Sequence, residues 1–367
     1  MFTVTEHLIK TIRDSRAHFI IIQLVPETAN KTQTLICQTE EKTLEIGLTK
    51  KTYLSIFKEA HTHWHELNTL DIKDYLERAS EKEVWELYLM TLGYLISTNE
   101  NHTIFNIHEL VVMKLYYRKG RSFLLDEFNI MTSFASSRLK KINKSSSLWF
   151  WIKKLTLLLV FSQSGTDEES VTLYRKLIDR TLKSASLHFA NYYAFNFFRW
   201  LHQLNCVLGY KSINQYMLEE LLLKCHQSLK DVSVWDTLLV VLLGEPKDFR
   251  FAVEEYNYIA HAYSLNEIQY EEVKMKNNEE LILRELSWLL NVKCPYETPY
   301  ISLINATRCL PNFAIQLLGQ IKRNYDAEHR TLELLKDSNA SIYAHHSTYV
   351  NLLALLLQKN RILVISE

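Results

Sequence analysis

Hydrophobic and polar positions change rhythm at Thr49. Before it the apolar residues fall in short β-branched runs, "HFIIIQLV" (His18–Val25), "TQTLIC" (Thr32–Cys37) and "KTLEIGL" (Lys42–Leu48), bounded by Pro26, Asn30 and charged turns. This pattern predicts a small antiparallel sheet or hairpin after one short helix at about residues 5–15. After Thr49 the period becomes helical. In "TKKTYLSIFKEAHTHWHEL" Thr49 is placed to cap a helix whose apolar residues Tyr53, Ile56, Phe57, Ala60 and Trp64 recur at three- and four-residue steps. From there to about Leu357 the chain reads as helix after helix, separated by short polar links such as "STNENH", "KINKSSS", "GYKS" and "GEPKD".

A pattern recurs within this helical region. A helix is followed by a short polar turn and then by a second helix with a large aromatic near its start. The second helices begin "NHTIFNIHELVVMKL" (Phe105), "SSSLWFWIKKLTLLL" (Trp149), "NYYAFNFFRWLHQL" (Phe195) and "DVSVWDTLLVVLL" (Trp235). Four residues before each aromatic stands a residue able to cap the helix by accepting from orphan backbone N–H groups: Asn101, Ser145, Asn191 and Asp231. The aromatics are about 40–46 residues apart, enough for two helices and their turns. The expected fold is therefore all-α, a superhelical crescent of antiparallel α-hairpins with a small N-terminal β element. Its parts would be residues 1–48, then a helical domain over 49–367 with the clearest repeats at about 81–245 and divergent helices over 246–367.

Composition supports this reading and narrows the chemistry. Only 7 Gly and 5 Pro in 367 residues disfavour a turn-rich β architecture. Formal net charge is zero, from 42 basic and 42 acidic residues, so no bulk attraction to nucleic acid or an anionic membrane is expected. Runs such as "LTLLLVF" (Leu155–Phe161) are far shorter than the roughly 20 residues of a membrane span. The N-terminus carries charges from residue 6 and no apolar signal core. The five cysteines are scattered, odd in number and never in a C-x-x-C pair, which fits a reducing compartment and predicts a cytoplasmic location. "HTHWHEL" puts His61 and His65 on one helical face, but no third metal ligand is evident nearby, so the histidines read as surface or half-buried groups. The basic string "RLKKINK" (Arg138–Lys144) suits a helix C-terminus and could also meet an acidic partner. No P-loop, G-x-S-x-G, H-E-x-x-H or G-x-G-x-x-G is present.

The segment Asn191–Leu204 holds the candidate binding residues. On a helix, Asn191, Asn196, Arg199, His202 and Gln203 share an arc of about 140°, with Tyr192 and Phe195 inside it. Phe195 and Arg199 stand i,i+4, and Trp149 and Lys153 repeat that spacing one unit earlier. A polar arc with embedded aromatics is expected to meet a partner. The candidate partner- or substrate-binding residues are therefore Asn191, Tyr192, Phe195, Arg199, Trp149, Lys153 and Trp235, with no catalytic or metal-ligating residue.

The string Asn191-Tyr192-x-x-Phe195-x-x-x-Arg199-Trp200-Leu201 resembles the repeat motif of protein prenyltransferase α subunits, with Phe195 in place of the motif tryptophan. "KSSSLWFWIKKL" matches more loosely, and "DVSVWDTLLVVL" keeps Trp235 and its lead-in. Together with "HFIIIQLV…GLTKKTYLSIFKEA", the likeness is strongest to the α subunit of geranylgeranyltransferase type III. It implies a crescent wrapped around a β subunit of the Rab geranylgeranyltransferase type, which would carry the zinc and the isoprenoid pocket. This chain would then hold no cofactor of its own and would meet geranylgeranyl diphosphate only through that subunit. Ala190 stands where the family places a diphosphate-facing lysine, so the implied role is regulatory and substrate-recruiting. The implied acceptor is a farnesylated SNARE. The rival expectation is a non-enzymatic helical-repeat scaffold for protein interactions, although a tetratricopeptide period of about 34 residues does not fit the spacing.

Overall fold

The computed structural model describes residues 2–27, 34–67, 71–98, 100–161, 168–270, 278–308, 310–336 and 340–360. The Asn30 turn, the start of the Thr32–Cys37 run and Cys309 lie outside the described residues. The chain divides into two compact units, Met1–Phe198 with Glu254–Ile268, and Arg199–Val253 with Gln269–Glu367.

The first unit opens with α1 (Thr3–Asp14) and three strands, β1 (Phe19–Leu24), β2 (Ile36–Glu40) and β3 (Thr43–Leu48). The strand order is β1-β3-β2. β2 and β3 form the expected antiparallel hairpin, closed by a two-residue turn at Glu41–Lys42. β1 departs from expectation, because it runs parallel to β3, with Ile20 opposite Leu44 and Ile22 opposite Ile46. Its sequence gives the physical reason. Ile20, Ile21 and Ile22 are all buried, so both faces of the strand are covered, as is usual for strands in parallel pairing. One cover is α6 (Arg121–Ala135), which packs directly on β1. The sheet is thus continuous with the helical core of its unit.

Helix α2 (Lys50–Leu67) starts as expected, with the Thr52 amide donating to Thr49 Oγ1 at 3.2 Å. It packs on α4 (Glu81–Thr98), which packs on α5 (His102–Lys119), which in turn packs on α6. The short α3 (Ile72–Arg78) and α7 (Lys140–Asn143) link these layers. Helix α8 (Ser146–Thr156) runs into a π-helical turn at Leu157–Phe161. Helix α9 (Glu168–Leu187) lies against α6, and α10 (Tyr192–Leu208) follows. The second unit contains α11 (Lys211–Gln227), α12 (Val232–Leu243), α14 (Glu279–Asn291), α15 (Glu297–Asn305), α16 (Pro311–Leu334) and α17 (Ala340–Lys359). There α12 packs on α11 and α15, and α16 packs on α14 and α17. Helix α13 (Pro246–Ala262) is followed by a turn at Tyr263–Ser264 and by residues 265–270, which have no regular secondary structure. The described chain is all-α apart from the small N-terminal sheet.

Each of the four expected capping residues caps its helix. Asn101, Ser145, Asn191 and Asp231 accept from the amides of Ile104, Leu148, Ala194 and Ser233 at 3.1, 3.2, 3.4 and 2.9 Å. Helix α1 is capped differently. Phe2 at its N-cap offers no side-chain acceptor, and the Glu59 carboxylate of α2 accepts from the Val4 and Thr5 amides instead, at 2.9 and 3.0 Å.

Candidate functional site

Of the second-helix residues singled out by the sequence, Asn191, Trp149, Phe195 and Trp235 are buried, each within its own unit. Asn191 is fully buried, and its Nδ2 donates to Asn143 Oδ1 at 2.6 Å. Asn143 donates to Ala135 O at 2.6 Å and to Ser184 Oγ at 2.9 Å. Three segments, the end of α6, α7 and the end of α9, are thereby tied to the α10 cap. Trp149 adds to this knot, with Nε1 donating to Asn143 O at 3.0 Å and its ring 5.3 Å from that of Phe197. Phe195 and Trp235 are buried side chains. Lys153 Nζ pairs with both oxygens of Glu255, at 2.8 and 2.6 Å. Burial pulls its ammonium below the ordinary lysine range despite that carboxylate. In the second unit Arg199, largely buried, pairs with Asp236 of α12. Tyr192 differs from the other six in being 56% exposed.

Tyr192 belongs to an aromatic edge in the first unit. Phe189 is 64% exposed and Tyr193 39%, and the Tyr192 and Tyr193 rings meet edge to face at 6.4 Å. The backbone that presents them is held by a cation. Lys144 Nζ donates to Phe189 O at 2.9 Å and to Ala190 O at 3.1 Å, while Ala190 takes a left-handed φ of 53°. Arg138, Lys140 and Lys141 are exposed. Their effect reaches His188, whose imidazole is pushed down by burial and by Lys144, Lys140 and Arg138, against a backbone hydrogen bond to Ser137. The edge therefore joins three exposed rings to a positive field.

A second constellation carried no sequence signal. Glu127 of α6 is completely buried and accepts from Tyr88 Oη at 2.5 Å, His108 Nε2 at 2.8 Å and Trp151 Nε1 at 2.9 Å. His108 Nδ1 meets Thr91 Oγ1 at 2.8 Å. Burial alone would raise the Glu127 carboxyl, but attraction to His108 and the three hydrogen bonds outweigh it and hold the carboxyl below its ordinary range. The Tyr88 hydroxyl is pushed well up by burial and by Glu127. Four helices, α4, α5, α6 and α8, contribute to this network. All five side chains are sealed from solvent, which makes it a core device without substrate access.

A third arrangement has the residue types of nucleophilic catalysis without its electrostatics. In the second unit Cys206 Sγ lies 3.9 Å from both ring nitrogens of His202 and accepts from Asn214 Nδ2 at 3.2 Å. A reactive cysteine needs a thiolate stabilised by a neighbouring cation. Here burial pushes the Cys206 thiol up to about 11 and the His202 imidazole down to about 4. Both groups are neutral near pH 7, so the pair does not ionise.

The histidines of "HTHWHEL" are engaged in packing. His61 stacks on Phe57 at 5.4 Å and meets Tyr94 Oη at 2.9 Å, and His63 lies edge-on to Phe2. Among the described residues no group of three or more His, Cys, Asp or Glu side chains is placed to hold a metal ion. Among them, too, no helix is long and apolar enough to cross a membrane.

Comparison with known proteins finds two matching domain models. Residues 2–136 match the model of the ECM9 N-terminal domain, and residues 148–263 match that of the ECM9 middle domain. Over these two stretches the chain is similar to ECM9. It is also similar to Protein ECM9 of Saccharomyces cerevisiae (strain ATCC 204508 / S288c), 26% identical over 297 residues that cover 77% of this chain and 72% of the relative. The first ECM9 match ends at Ser136, the C-cap of α6, and the second begins inside α8 and ends at Tyr263, just past α13.

This finding corrects the resemblance to protein prenyltransferase α subunits. The reading as a geranylgeranyltransferase subunit falls with it, as do a zinc-bearing β subunit, geranylgeranyl diphosphate and a farnesylated SNARE as partners. The helical-scaffold alternative gains no specific support from the family either. The physical source of the misleading likeness is visible in the fold. Asn191 caps a helix and ties a turn, and Phe195 and Trp200 fill the core. Any stack of α-helices makes those demands, so the motif reports helix packing before it reports chemistry.

Proposed function

We propose that this chain recognises an acidic segment of a protein partner at the aromatic edge formed by Phe189, Tyr192 and Tyr193. The observation that carries the reading is the juxtaposition of those exposed rings with Arg138, Lys140 and Lys144 in the first unit. Exposed aromatics are the residue type that dominates binding energy when covered. A basic surround selects for carboxylates and accelerates their encounter. The carbonyl clamp made by Lys144 fixes the loop in advance, which lowers the entropy lost on binding. The chain acts here by binding, with no cofactor of its own, in a reducing cytoplasm. The unpaired thiols of Cys37, Cys206, Cys225 and Cys294 support that location.

The test is quantitative co-purification from the native cell, comparing the unmodified chain with F189A/Y192A/Y193A and with K140E/K141E. Loss of about 2 kcal/mol at an aromatic anchor lowers affinity roughly 30-fold. At least one protein rich in Asp or Glu should fall at least about tenfold in both variants, with melting temperatures unchanged. The same proteins in the same amounts in all three preparations would refute the reading.

A further inference from the structure

Helix α9 carries two cations whose hydrogen-bond acceptors are all neutral. Lys176 Nζ donates to Asn129 Oδ1 at 2.9 Å. Arg180, one turn further on, approaches the same oxygen through NH1 at 3.3 Å and donates to Thr132 Oγ1 at 2.6 Å. Its Nε donates to His18 O at 2.8 Å. Arg180 is 2% exposed, while Lys176 is half-buried and so keeps a face toward solvent. Among the described residues no carboxylate pairs with either cation. Other lysines of the same unit are compensated: Lys153 by Glu255, Lys154 by Glu109 and Lys119 by Glu81.

Two like charges one helical turn apart, partly desolvated and without a counterion, disfavour each other. Burial and the charge of Arg180 push the Lys176 ammonium down to about 8. The free amine is the nucleophilic form of lysine, and its share near neutral pH grows as the ammonium is destabilised. We propose that Lys176 is a site of covalent acylation by acyl thioesters. The neutral Nζ attacks the thioester carbonyl, the N–C bond forms, and the C–S bond breaks. The proton lost from nitrogen ends on the departing thiol. The product suits the site better than the ammonium does. An amide keeps one N–H for Asn129 Oδ1 and removes the charge that opposes Arg180. Acylation of Lys153 would instead strand Glu255.

The experiment incubates the full chain with acetyl-coenzyme A, without an added enzyme, and follows each lysine by peptide mass spectrometry. A fall from the usual value of about 10.4 to about 8 raises the free-amine fraction at neutral pH by about 200-fold. Lower basicity and partial burial offset part of this. Lys176 should therefore react about 10-fold faster than the median lysine at about pH 7.4, with the advantage shrinking at about pH 9.5. N129D places a carboxylate against Nζ and should return Lys176 to the median. K176Q should melt at or above the unmodified temperature, whereas K153Q should melt lower. A Lys176 rate no faster than the median, a rate unmoved by N129D, or a K176Q loss equal to that of K153Q would each overturn the assignment.

Discussion

Replacing Glu127 by alanine tests whether the sealed network in the first unit holds four helices together. The carboxylate accepts from Tyr88, His108 and Trp151, and all four side chains are buried. Removing it leaves three donors without a partner in a space closed to water. Breaking a buried charge pair in this way costs about 3–5 kcal/mol. For a unit of this size one kcal/mol moves the melting temperature by roughly 2–4 °C, so a fall of roughly 6–20 °C is expected. Glu127→Gln separates polarity from packing. It keeps the volume but loses the charge that His108 faces, and it should retain part of the loss, about 2 kcal/mol. Acid should reveal the same group. The folded Glu127 carboxyl lies below its ordinary range, so its stabilisation is complete above the unfolded value of about 4.3 and drains away as pH falls through the folded value. The measurement is thermal and urea unfolding of the three proteins at neutral and acidic pH. A loss below about 1 kcal/mol in Glu127→Ala would refute the reasoning, because it would mean that the donors find other partners at no cost.

His202 gives a second acid-sensitive element, with its imidazole held down to about 4 by burial. Stability should fall by roughly 1–3 kcal/mol as pH drops from about 6.5 toward 4, since the unfolded imidazole binds a proton that the folded one refuses. His202→Leu should flatten that slope in a pH series of urea midpoints. Gly93 sits where α4 crosses α2, and a Cβ there would lie 3.0 Å from Ala60 Cβ and 3.3 Å from Ile56 O. Gly93→Ala should therefore destabilise by about 1–3 kcal/mol despite the better helix propensity of alanine, read as a lowered melting temperature.

Much of the architecture was legible along the chain because the forces involved are local. A cap needs a side chain within three residues of an orphan amide, so Asn101, Ser145, Asn191 and Asp231 could be named from spacing. The period switch at Thr49 was legible for the same reason, and the Thr49 hydroxyl caps the helix that follows. The site residues were less legible. Arc analysis placed Phe195 on the same outward face as Tyr192, yet Phe195 is buried and Tyr192 is exposed. A helical wheel knows angles within one helix but not which neighbours arrive to cover them.

Those arrivals were decided only in three dimensions. The sequence determined that β1 is apolar along its middle, but its parallel pairing with β3 required a helix, α6, to cover its outer face. Phe2 cannot cap α1, and nothing nearby in sequence predicts that Glu59 does so. Glu127 looks like an ordinary surface carboxylate in "LLDEFNIMTSF", and becomes a buried acceptor only because Tyr88, His108 and Trp151 come from three other helices. Lys176 has the same character, since its lack of a carboxylate is a property of its neighbours on α6 and α9. Local hydrogen bonding and periodicity act over a few residues and leave a mark in sequence. Compensation of a buried charge acts across tens or hundreds of residues, and chain folding alone chooses the partners.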